Sequence, residues 1–363
     1  MKKWFTALLA ALICASAPIG LTGCSTGKVV MSYGDSVITE NVFQYYLSYY
    51  KNIYLQTYSD MKDNSTYYQT ILPDGQTAEE YLFNMTVENV MMTLVCMEEF
   101  DKAGLTIADS VQADVDAYLT DLVDEYAGGD KKALNAELAQ YGVNLKMLSS
   151  IYIDQDKSSY LYDYLYGENG TQAATDADKQ AYLEENYCHV IHMYVNDAYY
   201  YPLTEDGYVQ TDSNGKAVTA PLTEEMVAEK NATIAAIDEA LAAGEDFIDV
   251  YNTYSEDHYY ANGYYLSQSM DFIDAVIDTA FSLEENTWQK VHSDYGTHYI
   301  YRITMDEKPW ENEANKDFFD DFDTTVSSEL FMEYVRSYLP QVEVDREALA
   351  AYSVEASPVN YRF

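Results

Sequence analysis

The sequence predicts an α+β fold in which two helical blocks bracket one module that carries strands. Three observations predict it. Apolar residues recur at helical spacing between Thr39 and Tyr166, and again from Pro309 onward. Between those blocks, Cys188–Val195 and His298–Met305 are short apolar runs of strand length. All five histidines (His189, His192, His258, His292 and His298) fall inside the same middle stretch, which sets it apart in composition.

Taken in order, Val29 to Ile38 reads as a strand pair turning at Gly34-Asp35, and Thr39 can cap the helix that follows. That helix carries Val42, Phe43, Tyr46, Leu47, Tyr50 and Ile53 on one face. Asn64 to Gly75 is polar and loop-like. Thr77-Ala-Glu-Glu80 is a capping box, in which each side chain satisfies the other's orphan amide. Its helix buries Val87, Val90, Met91, Leu94 and Met97 and stops at Gly104. Asp109 caps a helix with Val111, Val115, Leu119 and Leu122, closed by Gly128-Gly129. A short helix from Lys131 ends at Gly142, and a longer one spans about Leu145 to Tyr166.

Gly167 to Thr175 reads as a linker. Beyond it, Asp176–Asn186 is a short helix leading into the first strand of the module. Asp212-Ser-Asn-Gly215 reads as a hairpin turn between Tyr208–Thr211 and Lys216–Thr219. A helix from Thr223 places Val227, Ile234, Ile237 and Leu241 toward a core and ends at Gly244. Shorter helices follow at about Asp246–Tyr254 and Asp271–Ala280. The last helical block runs through Phe318, Phe322, Val326, Leu330 and Tyr334, and an extended tail follows Pro340.

Composition narrows the function. The chain has 20 Lys and Arg against 61 Asp and Glu, a formal charge of −41. Nucleic acids and anionic lipid surfaces need positive potential, so neither is an expected partner. The 38 tyrosines suit either adaptable peptide-binding surfaces or a core in which Tyr replaces Phe and Leu. A metal site is not expected. His189 and His192 point to opposite faces of one strand, and neither His-Glu-x-x-His nor Cys-x-x-Cys occurs. Cys96 and Cys188 sit in apolar runs, so a disulfide framework is not expected either.

Met1-Lys2-Lys3, the apolar run Trp4–Pro18 and Leu21-Thr-Gly-Cys24 have the layout of a secretory signal. The last four residues resemble the lipobox of bacterial lipoproteins. That resemblance implies cleavage before Cys24, lipid on its thiol, and anchoring at the extracytoplasmic face of the cell membrane. Cleavage would also remove Lys2 and Lys3, leaving 18 cations against 61 anions, or −43. No later run reaches eighteen apolar residues, so the remainder is expected to be soluble.

The middle module has a resemblance of its own. Val190-Ile-His192-Met-Tyr-Val195 resembles the first strand of parvulin-type peptidyl-prolyl isomerases. Gly244-Glu-Asp-Phe247, Tyr254-Ser-Glu-Asp257, Asn262-Gly263, Ala280-Phe-Ser-Leu283 and Val291-His-Ser-Asp-Tyr-Gly-Thr-His-Tyr-Ile300 follow in that family's order. The flanks, Val29–Leu47 and Thr175–Tyr187, resemble those of PrsA/SurA-type foldases. The resemblance implies a signal peptide over 1–23, a lipidated tether over 24–28 and a helical chaperone domain over 29–172. A parvulin-like domain over 175–307 would be inserted between it and a C-terminal helical segment, 308–363.

It also implies roles. His192 and His298 take the paired-histidine positions, Asp257 the acidic position and Ser293 the hydroxyl position. Met270, Phe272, Val276 and Phe281 fall where the proline-binding shelf is expected. His189, His258 and His292 read as surface residues. No cofactor is implied. The expected partners are unfolded or nascent exported polypeptides, with X–Pro isomerisation as the activity. A holdase on the same fold, without catalysis, is the alternative.

Overall fold

A computed structural model describes residues 27–58, 60–260 and 262–363. The signal sequence and Cys24 lie outside the described residues. The molecule is α+β, mainly helical with small antiparallel sheets. It divides into two compact units: residues 27–174 with Ser327–Phe363, and Thr175–Val326. Among the described residues no helix is long and apolar enough to cross a membrane.

In the first unit, β1 (Val29–Tyr33) and β2 (Ser36–Thr39) form the expected antiparallel pair. Their turn is set by Gly34 at φ 59° and by the buried Glu98, which accepts the Asp35 and Ser36 amides at 3.0 Å each. A Cβ on Gly34 would stand 1.9 Å from Glu98 Oε1. Left-handed backbone strain and the displaced carboxylate then act together. Gly34→Ala should therefore destabilise this unit by about 2–3 kcal/mol. An unchanged thermal melt would contradict that reading of the turn.

Helix Glu40–Thr57 follows Thr39, whose backbone is extended as an N-cap requires but whose hydroxyl makes no capping bond. Tyr45, Tyr46, Tyr50 and Tyr54 on this helix are buried, with successive Tyr46–Tyr50 and Tyr50–Tyr54 ring centroids 6.1 Å apart. Here tyrosine is a core residue. The capping box of Thr77 and Glu80 is formed and opens helix Ala78–Lys102. Ala108, not Asp109, is the N-cap of helix Asp109–Ala127, so Asp109 instead sits in the first turn. Acidic charge there still favours the helix dipole. The polar stretch Asn64–Gly75 holds a one-turn helix, Ser65–Tyr68, that Asn64 caps and that buries Tyr68 completely. The tail after Pro340 is not simply extended. Glu343–Val344 adds to β1 as a third strand, and Arg346–Leu349 is helical. Glu99 accepts hydrogen bonds from Tyr33 (2.8 Å) and Tyr334 (3.0 Å) and pairs with Lys102 at 2.9 Å, tying these pieces together.

The second unit is built on a four-stranded antiparallel sheet. Its strands are β3 (Tyr187–Val195), β6 (Tyr264–Ser267), β7 (Trp288–Ser293) and β8 (Gly296–Ile303), in the order β6-β3-β8-β7. The pleat alternates side chains between two faces. Ile191, Met193, Val195 and Tyr299 pack with Ile237, Leu241, Phe247 and Val250 from helices Glu224–Ala242 and Phe247–Tyr254. Cys188, Val190 and Ile300 pack on the other face with Leu266, Val276 and Ala280, the last two from helix Asp274–Ser282. His192 and His298 share the parity of Val190 and Ile300, so they belong to this second face.

Further readings of the sequence need correction here. Neither β6 nor β7 is among the expected strands, and the expected His298–Met305 strand runs instead over Gly296–Ile303. The helix expected at Asp271 starts at Asp274. Val227, placed on a core face, is exposed, while Ile237 and Leu241 on the same helix are buried. His189, expected at the surface, is buried: its ring stacks on Tyr265 at 4.1 Å and its nitrogens face the carbonyls of Thr304 and Asn262. His258 and His292 are exposed.

Candidate active site

The second face of the sheet brings four of the candidate residues into one hydrogen-bonded chain. His192 on β3 pairs with Ile300 and His298 on β8 pairs with Tyr194, so the two histidines are diagonal neighbours on one face of the ladder. His192 Nε2 and His298 Nδ1 are 2.9 Å apart. The other His192 nitrogen, Nδ1, meets Asp257 Oδ2 at 2.9 Å. His298 Nε2 meets Ser293 Oγ at 2.7 Å, across the β7–β8 turn. Both histidines are buried, His298 completely.

The loop after helix Phe247–Tyr254 holds Asp257 in place. Ser255 is the pin: its hydroxyl donates to the Asp257 carbonyl at 2.8 Å and accepts the Tyr194 amide at 3.2 Å. Tyr264 donates its hydroxyl to Asp257 Oδ2 at 2.6 Å, and the Tyr259 amide donates to Oδ1 at 3.1 Å. Burial alone would raise the Asp257 carboxyl. The bonds from His192 and Tyr264 outweigh that and hold it below the ordinary carboxylate value. Burial pushes the Tyr264 hydroxyl up, and the Asp257 carboxylate pushes it further, so it stays a donor.

An ionised Asp257 fixes the first bond, and with His192 as a singly protonated tautomer the other directions follow. It can only accept, so His192 carries its proton on Nδ1 and leaves Nε2 as an acceptor. His298 must then donate from Nδ1, which makes its Nε2 the acceptor for the Ser293 hydroxyl. Ser293 Oγ in turn accepts the Tyr295 amide at 3.0 Å. Burial, followed by the neighbouring His192 and His292, pushes His298 down to about 3, so it is neutral at any ordinary pH. All four imidazole nitrogens are thus committed to neighbours.

This arrangement limits the chemistry. A Ser–His–His–Asp relay superficially suits a hydrolase, but a base titrating near 3 is poorly matched to taking a proton from serine at neutral pH. What the network does offer is a rigid, buried, hydrogen-bonded floor beneath the aromatic side chains of this face. Phe272 stands edge-on to His192 at 5.9 Å between ring centroids, and Tyr264 at 5.6 Å. Met270, Phe272 and Phe281 are half-buried members of the apolar cluster on this face. Val276 belongs to the same cluster but is wholly buried, so it supports the others from beneath.

Among the described residues, no group of three or more His, Cys, Asp or Glu is placed to hold a metal ion. Cys96 and Cys188 are buried and unpaired, and burial pushes each thiol up to about 12.

No protein-family model matches the chain, and no curated protein does. Solved structures that it is similar to are PrsA proteins. PrsA from Bacillus subtilis is 19% identical, with 78% of this chain and 90% of that chain covered, at a TM-score of 0.24. The foldase PrsA from Streptococcus pneumoniae is 16% identical, covering 90% and 94%, at a TM-score of 0.23. The peptidylprolyl isomerase PrsA from Bacillus cereus is 16% identical, covering 90% and 93%, at 0.25. With identities and TM-scores this low, the functional reading rests on the geometry of the four polar groups.

Sequence reasoning missed Tyr264, Ser255 and Tyr194. Tyr264-Tyr-Leu-Ser267 after Asn262-Gly263 carries a strand signal in its aromatic residues and preceding turn. Read that way, it would have placed Tyr264 beside β3.

Proposed function

We propose that the Thr175–Val326 unit is a peptidyl-prolyl isomerase that acts on unfolded exported polypeptides. We propose also that lipid on Cys24 holds the protein at the extracytoplasmic face of the membrane. The observation that carries the catalytic reading is the uninterrupted chain Asp257–His192–His298–Ser293, with spacings of 2.9, 2.9 and 2.7 Å, beside a half-buried apolar cluster.

Rotation about an X–Pro bond crosses a barrier of roughly 20 kcal/mol and makes or breaks no covalent bond. A catalyst must bind the twisted amide more tightly than either planar form. Met270, Phe272 and Phe281 would hold the pyrrolidine ring, with Val276 as the packing beneath. His192 and His298 would act as positioning groups: they present a fixed, partly desolvated surface to the amide and exchange no proton with it. Tethering would raise the local concentration of the isomerase where clients emerge unfolded.

Proline-limited refolding of a model client tests this reading. The parent protein should accelerate the slow phase at least about tenfold, while His192→Ala should leave a rate near the uncatalysed one. Suppressed aggregation without acceleration would select the holdase alternative instead.

A further inference from the structure

The excursion between β3 and helix Glu224–Ala242 has no part in the imidazole chain, yet its first residues are fastened beside it. Asp197 Oδ2 accepts the Thr297 hydroxyl at 2.9 Å, and the Asn196 amide donates to Glu256 at 3.1 Å. Tyr194, one residue before the end of β3, lies with its ring 5.0 Å from that of His298 and donates its hydroxyl to the Tyr295 carbonyl at 2.6 Å. The excursion then folds on itself. β4 (Tyr199–Tyr200) pairs with β5 (Ala220–Pro221), and the chain between them turns at Gly207 and Gly215, both with positive φ.

These turns leave aromatic side chains in the open next to the site. Tyr199 and Tyr201 stand 5.5 Å apart at their ring centroids, and Tyr201 and Tyr295 are 43% and 51% exposed. The Tyr199 amide donates to Asn196 Oδ1 at 3.2 Å, so the Tyr199–Tyr201 pair is held just past the end of β3, where Asn196 is bonded to Glu256. The charge here is one-sided. From Tyr194 to Pro221 the chain has Asp197, Glu205, Asp206 and Asp212 against one cation, Lys216. Lys230, which does approach, is paired with Glu256. The unit as a whole has 7 Lys and Arg against 32 Asp and Glu, a formal charge of −25 over residues 175–326.

We infer that Tyr194, Tyr199, Tyr201 and Tyr295 form an accessory subsite that takes a Lys or Arg side chain of an extended polypeptide, adjacent to the segment lying over His192 and His298. The tyrosine faces and the unbalanced carboxylates both favour a cation, and the rings also cover its alkyl stem. An acidic side chain there would meet the same field with the opposite sign. This inference rests on the foldase reading and names its substrate class.

Two fluorescent peptides that differ only in Lys or Glu before a single proline test it by direct binding to the full chain. The Lys peptide should bind about tenfold more tightly at low salt, with the ratio shrinking as salt is raised. The double substitution Tyr199→Ala/Tyr201→Ala should bring the two affinities within about twofold. Equal affinities, no binding of either peptide, or a preference that survives the double substitution would overturn the inference. Failure of the foldase reading looks different: the binding preference persists while neither peptide is isomerised.

Discussion

Replacing His298 by Ala should destabilise the Thr175–Val326 unit by about 2–4 kcal/mol and abolish acceleration of X–Pro rotation. His298 is completely buried and joins Ser293 to His192. Its removal leaves the His192 Nε2 lone pair without a donor and the Ser293 hydroxyl proton without its acceptor, and opens a cavity between β8 and β3. Unsatisfied buried polar groups cost about 1–3 kcal/mol each, which sets the estimate. Ser293→Ala is the graded control. It leaves the buried His298 Nε2 without its donor and the exposed Tyr295 amide without its acceptor, and should cost about 1–2 kcal/mol while the Asp257–His192–His298 bonds stay intact. Chemical denaturation of both variants measures this. If His298→Ala were no less stable than Ser293→Ala, the two imidazoles would not be joined as described.

Acid should unfold this unit earlier than carboxylate titration alone explains. His298 is held near 3 in the folded protein, whereas an exposed histidine titrates near 6.5. Below about 6.5 the unfolded chain therefore binds a proton that the folded chain refuses, and stability falls with pH until about 3. One such group contributes at most ~1.4 kcal/mol per pH unit across that window. Asp257, held below its ordinary value, acts in the same direction lower down: its stabilisation is present above about 4 and is lost as pH falls through its depressed folded value. Denaturation midpoints at several pH values between 7.5 and 4 should show the parent losing stability faster than His298→Asn, which has no group to titrate there. Parallel curves would show that His298 is not kept neutral by burial.

Much of this site can be read from the residues, and the limits have physical causes. His192, His298, Asp257 and Ser293 were nameable because each lies in a short segment whose order resembles one family. Their bonding directions were not, since those depend on Tyr264 and Ser255, which reach Asp257 only through strand pairing and a loop. β7 escaped notice because it is an edge strand, and its exposed Trp288, Gln289, Lys290 and His292 show no buried run. His189 was misjudged for the converse reason. A lone histidine looks polar in sequence, but here two backbone carbonyls and the Tyr265 ring surround it. Tyrosine misleads in both directions: Tyr45 and Tyr54 are wholly buried, while Tyr259 is almost fully exposed. Val227 follows helical periodicity, yet it lies about two turns before Ile234, where its helix begins to pack on the core.

The central claim is that a buried, fully bonded imidazole pair beside an apolar shelf lowers the barrier to X–Pro rotation. NMR exchange spectroscopy on a short proline peptide reads that rate directly, without a folding client. Addition of the full chain should produce cis–trans exchange cross-peaks at mixing times where the free peptide shows none, and His192→Ala should remove them. Absence of exchange with the folded parent protein, under conditions where the peptide is bound, would contradict the account.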